Sequence, residues 1–155
     1  RKVLSLANVD RNTIYGKYKS NLIQSLLEPT AIYVQLVEKL IKENISIHGM
    51  THITGGGLPE NLPRVFPHGL LPRIDKSAWE IPEVFDWLQK AGDIPESDLW
   101  NTFNMGIGFC LIVPKHEVNT ALDICINNDF EAWNIGQVLE SQVSAENNDI
   151  FGLTL

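Results

Sequence analysis

The sequence predicts a mixed α/β domain, in which a mixed, partly antiparallel sheet is covered by helices. Short β-branched runs alternate with stretches whose apolar residues recur every three or four positions, as strands and amphipathic helices do. The chain has 155 residues, of which 44% are hydrophobic and 20% are charged, so it is long enough to bury a core of its own. We therefore expect residues 1–155 to form a single α/β domain.

In the first half, apolar spacing, β-branched runs and prolines predict six segments. They are a helix end at 3–8, a polar surface loop at 10–21, a short helix at 22–27, an edge strand at 29–34, a helix at 34–43 and a strand at 45–53. The two strands and the helix between them form a unit that leads directly into three consecutive glycines.

In the second half, a proline-rich stretch precedes alternating helices and strands. Four prolines within residues 58–75 favour a long, stiff connection without regular structure. The most continuous apolar run, residues 107–113, predicts a central strand. The other predicted segments are a helix at 83–90 closed by Gly92, a helix opened by Pro95, a turn at 104–106, a helix at 115–126, and strands at 132–139 and 150–153.

The three glycines at the end of the predicted strand carry the main functional signal. Glycine permits positive φ and lets backbone N–H groups approach a ligand, as in loops that bind anions. The run matches neither a P-loop nor a dinucleotide fingerprint, because Leu58–Pro59 follows it. Glycine-rich turns that bind nothing are also common, so the residues alone leave both interpretations open. The binding interpretation predicts a polar pocket for an anionic small molecule, lined by Thr51, Thr54, Gly55, Gly56, Gly57, Arg64 and Asn104.

His52 is the candidate proton-transfer residue, since it lies at the strand end beside two threonines. An imidazole there can exchange protons near neutral pH or donate to a phosphate, although a hydrogen bond to a loop carbonyl is the competing interpretation. In a strand, His48 and His52 are about 13 Å apart at about 3.3 Å per residue, too far to share an ion, and no metal site is predicted. His116 is expected on the surface at a helix start, and the sequence assigns no partner to His68.

Several other residues have two interpretations or an ordinary structural one. Arg64 follows Pro63 in the stiff stretch, where a guanidinium suits a phosphate, and a surface salt bridge is the alternative. Cys110 and Cys125 lie in apolar runs and are expected to be buried and reduced, as in a cytoplasmic protein. The residues expected in the core are Trp79, Phe85, Trp87 and Trp100.

Charge and hydropathy bear on the classes of partner. The net charge is −7 and no basic stripe is visible, so we expect no nucleic-acid partner. No apolar run approaches the roughly 20 residues that span a membrane, so no membrane partner is expected either. The chain begins with Arg1 and not with Met, and we expect it to be a fragment or a processed chain.

Four runs of the sequence resemble the aminoimidazole ribonucleotide synthetase (phosphoribosylformylglycinamidine cyclo-ligase) family. The most specific is Gly49–Pro67, which contains Thr-His-Ile-Thr-Gly-Gly-Gly, and the Phe-Asn-Met-Gly-Ile-Gly run at 103–108 is specific in combination with it. The other two runs are residues 27–34 and 132–136, and the four together span most of the chain in the family's order. The resemblance covers the carboxy-terminal domain of that enzyme.

The resemblance implies an ATP-dependent ring closure in purine biosynthesis. The formyl oxygen of formylglycinamidine ribonucleotide is phosphorylated by ATP, an amidine nitrogen attacks the activated carbon, and phosphate leaves with formation of aminoimidazole ribonucleotide. It further implies that an amino-terminal domain outside this chain holds most of the ATP and Mg²⁺ contacts and forms a homodimer, so the chain alone is expected to be inactive. The glycine loop would face the bound ribonucleotide, and His52 would bind substrate or transfer a proton.

Two alternatives remain open on the sequence. One is a related ATP-using enzyme of the same superfamily, such as the formylglycinamidine ribonucleotide synthase, an amidotransferase. The run Met50–Thr54 before the glycines favours the cyclo-ligase over it. The other is a non-catalytic ligand-binding module, in which His52 and Arg64 have no effect on the activity of the complete enzyme.

Overall fold

The computed structural model describes residues 2–140 and has a mixed α/β fold, which confirms the predicted fold class. Seven α-helices and six short strands are found within these residues, with two 3-10 helices at Leu62–Val65 and Lys115–Glu117. The elements are α1 (Lys2–Leu6), β1 (Ile14–Tyr15), β2 (Ser20–Asn21), α2 (Leu22–Leu26), α3 (Val34–Lys42), β3 (Gly49–His52), α4 (Gly57–Asn61), β4 (Leu70–Ile74), α5 (Glu83–Gly92), α6 (Glu96–Thr102), β5 (Phe109–Ile112), α7 (Val118–Ile126) and β6 (Gly136–Glu140).

The strands of the described residues form three separate antiparallel pairs, β1–β2, β3–β5 and β4–β6. In the β3–β5 pair, Thr51 lies opposite Cys110 and His52 opposite Phe109. The sheet of several strands that the sequence predicts is therefore not formed in this part of the chain, and β5 is not a central strand. The run from 107 to 113 is apolar for another reason, because the two faces of β5 pack against two different hydrophobic clusters.

The two clusters lie on opposite faces of the β3–β5 pair. The larger includes Cys110 of β5 together with residues of α4, β4 and α6, and the smaller joins α3 to α7 with Leu111 and Val113 packed against it. Trp79 and Trp100 are buried in the larger cluster, and Trp79 Nε1 donates a 2.9 Å hydrogen bond to the carbonyl of Met105. Phe85 packs against the same cluster, which confirms three of the four predicted core aromatics, while Trp87 is half-buried.

Both cysteines are free and buried, as the sequence predicts. Burial raises the pKa of Cys110 to about 12 and also raises that of Cys125, so neither is a thiolate near neutral pH. We expect a thiol-reactive disulfide reagent at pH 8 to leave the native chain unmodified and to label both cysteines after unfolding in guanidinium. Because the folded-state pKa of Cys110 is raised, the contribution of its buried thiol to stability is complete below the unfolded pKa near 9 and is lost as the pH rises toward 12. Rapid labelling of either native cysteine would contradict this expectation.

Two predictions in the first third of the chain are wrong. Residues 28–33 have no regular structure instead of forming a strand, and Ile32 is 77% exposed, so the β-branched run pairs with no strand within residues 2–140. The polar stretch 10–21 was expected to be a loop, but it contains the two-residue strands β1 and β2. Hydrogen bonds from Asn12 N and Thr13 Oγ1 to Asp10 Oδ1 close the turn that precedes this hairpin.

The prediction that prolines exclude regular structure from 58–75 is also wrong, since α4, a 3-10 helix and β4 lie there. Three of the four prolines lie in these elements, each at a place where its missing N–H costs little. Pro59 lies in the first turn of α4, Pro63 lies at the start of the 3-10 helix, and Pro72 lies in β4, which pairs on one side with β6. Prolines are tolerated at such first turns and edge strands, so their density alone does not indicate a loop.

The remaining segments match the sequence predictions with shifted ends. Helices α1, α2, α3, α5, α6 and α7 are confirmed, although Asp93, with φ 48°, ends α5 in place of the expected Gly92. The turn at 104–106 is confirmed by the positive φ of Met105 and Gly106, whereas β3 and β6 are shorter than predicted. The predicted strand at 150–153 lies outside the described residues. No helix within residues 2–140 is long and apolar enough to cross a membrane.

Candidate functional site

The glycine loop, residues 54–57, connects the end of β3 to the start of α4. The N–H of Ile53 donates to the carbonyl of Gly108 at 2.9 Å, which fixes the entry to the loop against the segment before β5. At the other end, the N–H of Gly57 donates to the carbonyl of Thr54 at 3.1 Å. Gly56 and Gly57 have φ angles of 94° and 57°, which only glycine adopts readily.

The fold constrains the three glycines of the loop to different degrees. A Cβ atom on Gly57 would collide with the carbonyl oxygen of Trp100 and would lie 2.7 Å from that of Phe103, so α4 and α6 approach too closely for any side chain. A Cβ atom on Gly56 would meet the side chain of Glu60, whose carboxylate can rotate away but whose own Cβ, at 2.8 Å, cannot. Gly55 has no positive φ, and nothing lies within 4 Å of the position of its Cβ. The fold therefore requires Gly57 and does not require Gly55.

Asn61, at the end of α4, organises the inside of the loop. It is 3% exposed and is the only buried polar side chain within residues 2–140. Its Nδ2 donates to the carbonyl of Gly57 at 2.8 Å and to that of Gly55 at 3.1 Å, with the carbonyl of Thr54 at 3.5 Å. Its Oδ1 accepts from the Thr54 hydroxyl at 3.4 Å. Because one end meets only carbonyls and the other a hydroxyl, the amide has a single satisfactory orientation.

The backbone N–H groups of Gly55 and Gly56 donate to no acceptor within the described part of the chain. Together with the open space at Gly55, they form a patch of unpaired donors on the surface. Successive unpaired N–H groups of this kind attract anions. The loop thus has the chemistry that the binding interpretation of the sequence requires.

His52 lies exposed at the end of β3, beside the loop, with its ring in a T-shaped arrangement against Tyr33 at 5.9 Å between centroids. Tyr33 also stacks on Phe109 at 4.9 Å, and its hydroxyl lies where a Cβ on Gly108 would be. Burial raises the pKa of Tyr33, so the hydroxyl is protonated at neutral pH. The imidazole is thus packed against an aromatic residue and remains open to solvent on its other side.

Arg64 is exposed on the 3-10 helix that follows α4 and is close to the loop through Asn61. Its Nη1 lies 3.5 Å from Asn61 Oδ1, and its Nη2 lies 3.8 Å from Glu60 Oε2. The surface salt bridge that the sequence allows is therefore present, but both side chains are more than 60% exposed, and such pairs contribute little to stability. Thr51 Oγ1 reaches the carbonyl of Asn61 at 3.5 Å, which places this hydroxyl on the same side of the loop.

The segment from Phe103 to Gly108 runs alongside the glycine loop. Phe103 abuts Gly57 through its carbonyl, and Gly108 binds Ile53. Asn104 follows Phe103 directly, and its Oδ1 accepts the N–H of Gly106 at 3.1 Å, so this side chain shapes its own turn in the structure. The predicted site residues are thereby brought close to one another, whereas His48, His68 and His116 are exposed elsewhere in the chain.

Two clefts lie away from this loop. One, of about 340 Å³, is lined by residues of the β1–β2 hairpin and α5, and the other, of about 470 Å³, by residues 126–133 after α7. Neither includes a residue of the glycine loop, and neither brings together hydrogen-bond donors in the way that the loop does. Within residues 2–140, no three His, Cys, Asp or Glu side chains are grouped so as to hold a metal ion.

Asn61 and Tyr33 are not among the site residues that the sequence predicts. For Asn61 the signal was its spacing, since it stands four residues after Gly57, where a side chain on a helix reaches back to the carbonyl one turn earlier. Tyr33 was assigned to a strand, and the structure places it at the N-cap of α3 instead. Its contact with Gly108 joins residues 75 positions apart and has no local sequence signal.

The fold and the loop define a mixed α/β domain that presents a glycine-rich, donor-lined loop between a strand and a helix. The chain belongs to the family described as "AIR synthase related protein, C-terminal domain", whose model matches residues 1–146. The family resemblance found in the sequence is thereby confirmed.

Several curated relatives of the chain carry the name phosphoribosylformylglycinamidine cyclo-ligase. Two, from Prochlorococcus marinus strains NATL1A and NATL2A, are 77% and 78% identical over 153 residues, which are 99% of this chain and 44% of each relative. A third, from Synechococcus sp. strain CC9902, is 55% identical over 141 residues, which are 91% of this chain and 41% of that relative. The chain thus spans less than half the length of the curated relatives it matches.

Proposed function

We propose that the chain is the carboxy-terminal domain of an enzyme that closes formylglycinamidine ribonucleotide to aminoimidazole ribonucleotide, with conversion of ATP to ADP and phosphate. The observation that carries this proposal is the 77–78% identity to cyclo-ligases over 99% of the chain. Relatives from two Prochlorococcus marinus strains and one Synechococcus strain carry the same printed name, which favours the cyclo-ligase over the amidotransferase alternative.

The proposal assigns only part of the enzyme to this chain. An ATP-binding, dimer-forming amino-terminal domain would supply the remaining length of the relatives, and the homodimer would form through it. We place Mg²⁺ and most ATP contacts on the other domain, as the family resemblance implies. Within residues 2–140, no three His, Cys, Asp or Glu side chains are grouped to hold a metal ion. A location in the cytoplasm agrees with two free cysteines whose burial keeps them as thiols.

Within this domain, the glycine loop would bind the anionic ribonucleotide. The unpaired N–H groups of Gly55 and Gly56 and the guanidinium of Arg64 are the donors that suit its phosphate, with Thr51, Thr54 and Asn104 at the border of the site. His52 would move a proton on the formamide–amidine portion during ring closure. The driving step, loss of the phosphorylated oxygen as inorganic phosphate, needs both reacting groups to be held in line.

The test is phosphate release by the full-length enzyme. Release should require both ATP and formylglycinamidine ribonucleotide, and aminoimidazole ribonucleotide should form in a one-to-one ratio with phosphate. The amidotransferase alternative predicts instead that release requires formylglycinamide ribonucleotide with glutamine or ammonia. If neither substrate set supports turnover, the cyclo-ligase proposal is wrong, and the non-catalytic ligand-binding module becomes the favoured interpretation.

Substitution of Arg64 tests the phosphate contact. Because Arg64 is exposed and only weakly paired, Arg64→Ala should leave the melting temperature nearly unchanged. Loss of a charge-assisted contact to phosphate of about 1.5–3 kcal/mol should raise the KM for the ribonucleotide by roughly 10- to 150-fold. Glu60→Gln removes the same salt bridge from the other side and serves as the control, with an unchanged or lower KM. Equal KM values for Arg64→Ala and the wild type would show that Arg64 does not contact the phosphate and only forms the surface salt bridge with Glu60.

A further inference from the structure

We propose that Asn61 is a positioning residue that holds the glycine loop in the conformation presenting its N–H groups to the ribonucleotide. This inference rests on the proposed function for its ligand, although its structural part is independent of the reaction. Asn61 is buried and has its amide turned toward three loop carbonyls, those of Thr54, Gly55 and Gly57. Its contacts with the loop glycines are made to their carbonyls and not to the two unpaired N–H groups.

The direction of the free N–H groups follows from the direction of these carbonyls. In a trans peptide, the C=O of one residue and the N–H of the next point in opposite directions. No cis peptide bond is present in the described residues. Because the carbonyls of Thr54 and Gly55 face Asn61, the N–H groups of Gly55 and Gly56 must face away from it. Asn61 thus fixes the orientation of both donors without contacting a ligand.

Three consecutive glycines need such an anchor. Glycine populates positive and negative φ with similar ease, so a peptide plane between two glycines reorients at little cost. Local bonds hold only part of the loop within residues 2–140. The N–H of Gly57 donates to the carbonyl of Thr54 and the N–H of Glu60 donates to that of Gly56, whereas the peptide plane between Gly55 and Gly56 is held by Asn61 alone. Without Asn61, the loop would populate several conformations. The apparent affinity for an anion would then be lowered in proportion to the fraction of molecules whose loop has the binding conformation.

Asparagine is the side chain that fits this role. Two N–H donors on one planar amide are needed to meet two carbonyls, and an acceptor is needed for the Thr54 hydroxyl. Aspartate has the same shape but cannot donate, so Asn61→Asp removes both carbonyl contacts while it preserves the volume. Asn61→Ala removes the contacts and also the volume, and it introduces no charge.

The experiment uses the full-length enzyme, its two Asn61 variants and two controls. Leu40→Ala opens a cavity in the α3–α7 cluster, where Leu40 is fully buried, and thereby lowers stability away from the loop. Asn128→Ala removes another asparagine that donates to a backbone carbonyl, that of Ile124 at 2.7 Å, from the exposed end of α7. Steady-state kinetics and amide hydrogen exchange of peptides covering residues 53–60 are measured for each protein at a temperature where it is folded.

We expect the amides of residues 53–60 to exchange faster in both Asn61 variants than in the wild type. The KM for the ribonucleotide should rise about tenfold, which corresponds to a loop that adopts the binding conformation about a tenth of the time. The KM for ATP and kcat at saturation should change by less than about threefold, because the same bound state is reached. Leu40→Ala and Asn128→Ala should keep the wild-type KM and the wild-type exchange in this segment.

Two outcomes would overturn the proposal. One is unchanged exchange at residues 53–60 in folded Asn61→Ala. The other is a rise in the ribonucleotide KM of Leu40→Ala as large as that of Asn61→Ala, which would make the effect one of general stability. If the wild-type enzyme itself does not turn over the ribonucleotide, the proposed function fails, and exchange alone then decides whether Asn61 holds the loop.

Discussion

Gly57→Ala is expected to destabilise the domain by about 3 kcal/mol or more, because the added methyl group meets backbone atoms and strains a left-handed conformation. An added Cβ would collide with the carbonyl of Trp100 and press on that of Phe103, and neither is a side chain that can rotate away. The positive φ of 57° adds roughly 1–2 kcal/mol for a residue other than glycine, and overpacking typically adds 1–3 kcal/mol. Thermal or urea unfolding of the full-length enzyme measures the loss.

The matched control is Gly55→Ala, two residues earlier in the same loop. Gly55 has no positive φ and no neighbour within 4 Å of its Cβ position, so this variant should unfold within about 0.5 kcal/mol of the wild type. Its added methyl group would nevertheless lie beside the donor patch, and the KM for the ribonucleotide should rise. A Gly57→Ala variant as stable as Gly55→Ala would contradict the close approach of α4 to α6. An unchanged KM for Gly55→Ala would remove the reason to place a ligand there.

The fold was predictable from the sequence where local periodicity decides the structure. Helix α3 is an example, because apolar residues three and four apart face one cluster and its two buried positions are Leu36 and Leu40. The failures share a cause, since a strand depends on a partner that the local sequence does not contain. The β-branched run at 29–34 finds no partner, whereas the proline-containing run at 70–74 pairs with a strand more than sixty residues later.

The site was predictable as a stretch of chain but not as a geometry. The glycines, threonines, His52 and Arg64 are consecutive or nearly so, and the sequence places them together by continuity. The residues that determine their arrangement are Asn61, whose amide turns back by one helical turn, and Trp100, whose carbonyl excludes a side chain at Gly57. Their effect depends on tertiary approach distances of a few ångströms, which a pattern of residue types does not contain.

His52→Gln is expected to lower kcat of the full-length enzyme by about 100-fold or more, the range typical of a lost general acid or base. His52 is exposed, and its side-chain contacts within residues 2–140 are ring contacts with Tyr33 and Phe109, so glutamine should fit with little loss of stability. Because glutamine can donate a hydrogen bond but cannot exchange a proton near neutral pH, it separates catalysis from binding. The kcat and the ribonucleotide KM should be measured across pH 5–9.

The pattern of the two constants identifies the role of His52. A fall in kcat with little change in KM, together with a flatter pH profile, indicates proton transfer in the transition state. A raised KM with an unchanged kcat indicates a phosphate contact, which would make His52 a binding residue like Arg64. His48→Gln is the matched control, since His48 is also exposed and immediately precedes the same strand, and it should leave both constants unchanged. If His52→Gln behaves like His48→Gln, the imidazole has only its packing role against Tyr33, and the proton must be moved by a group outside this domain.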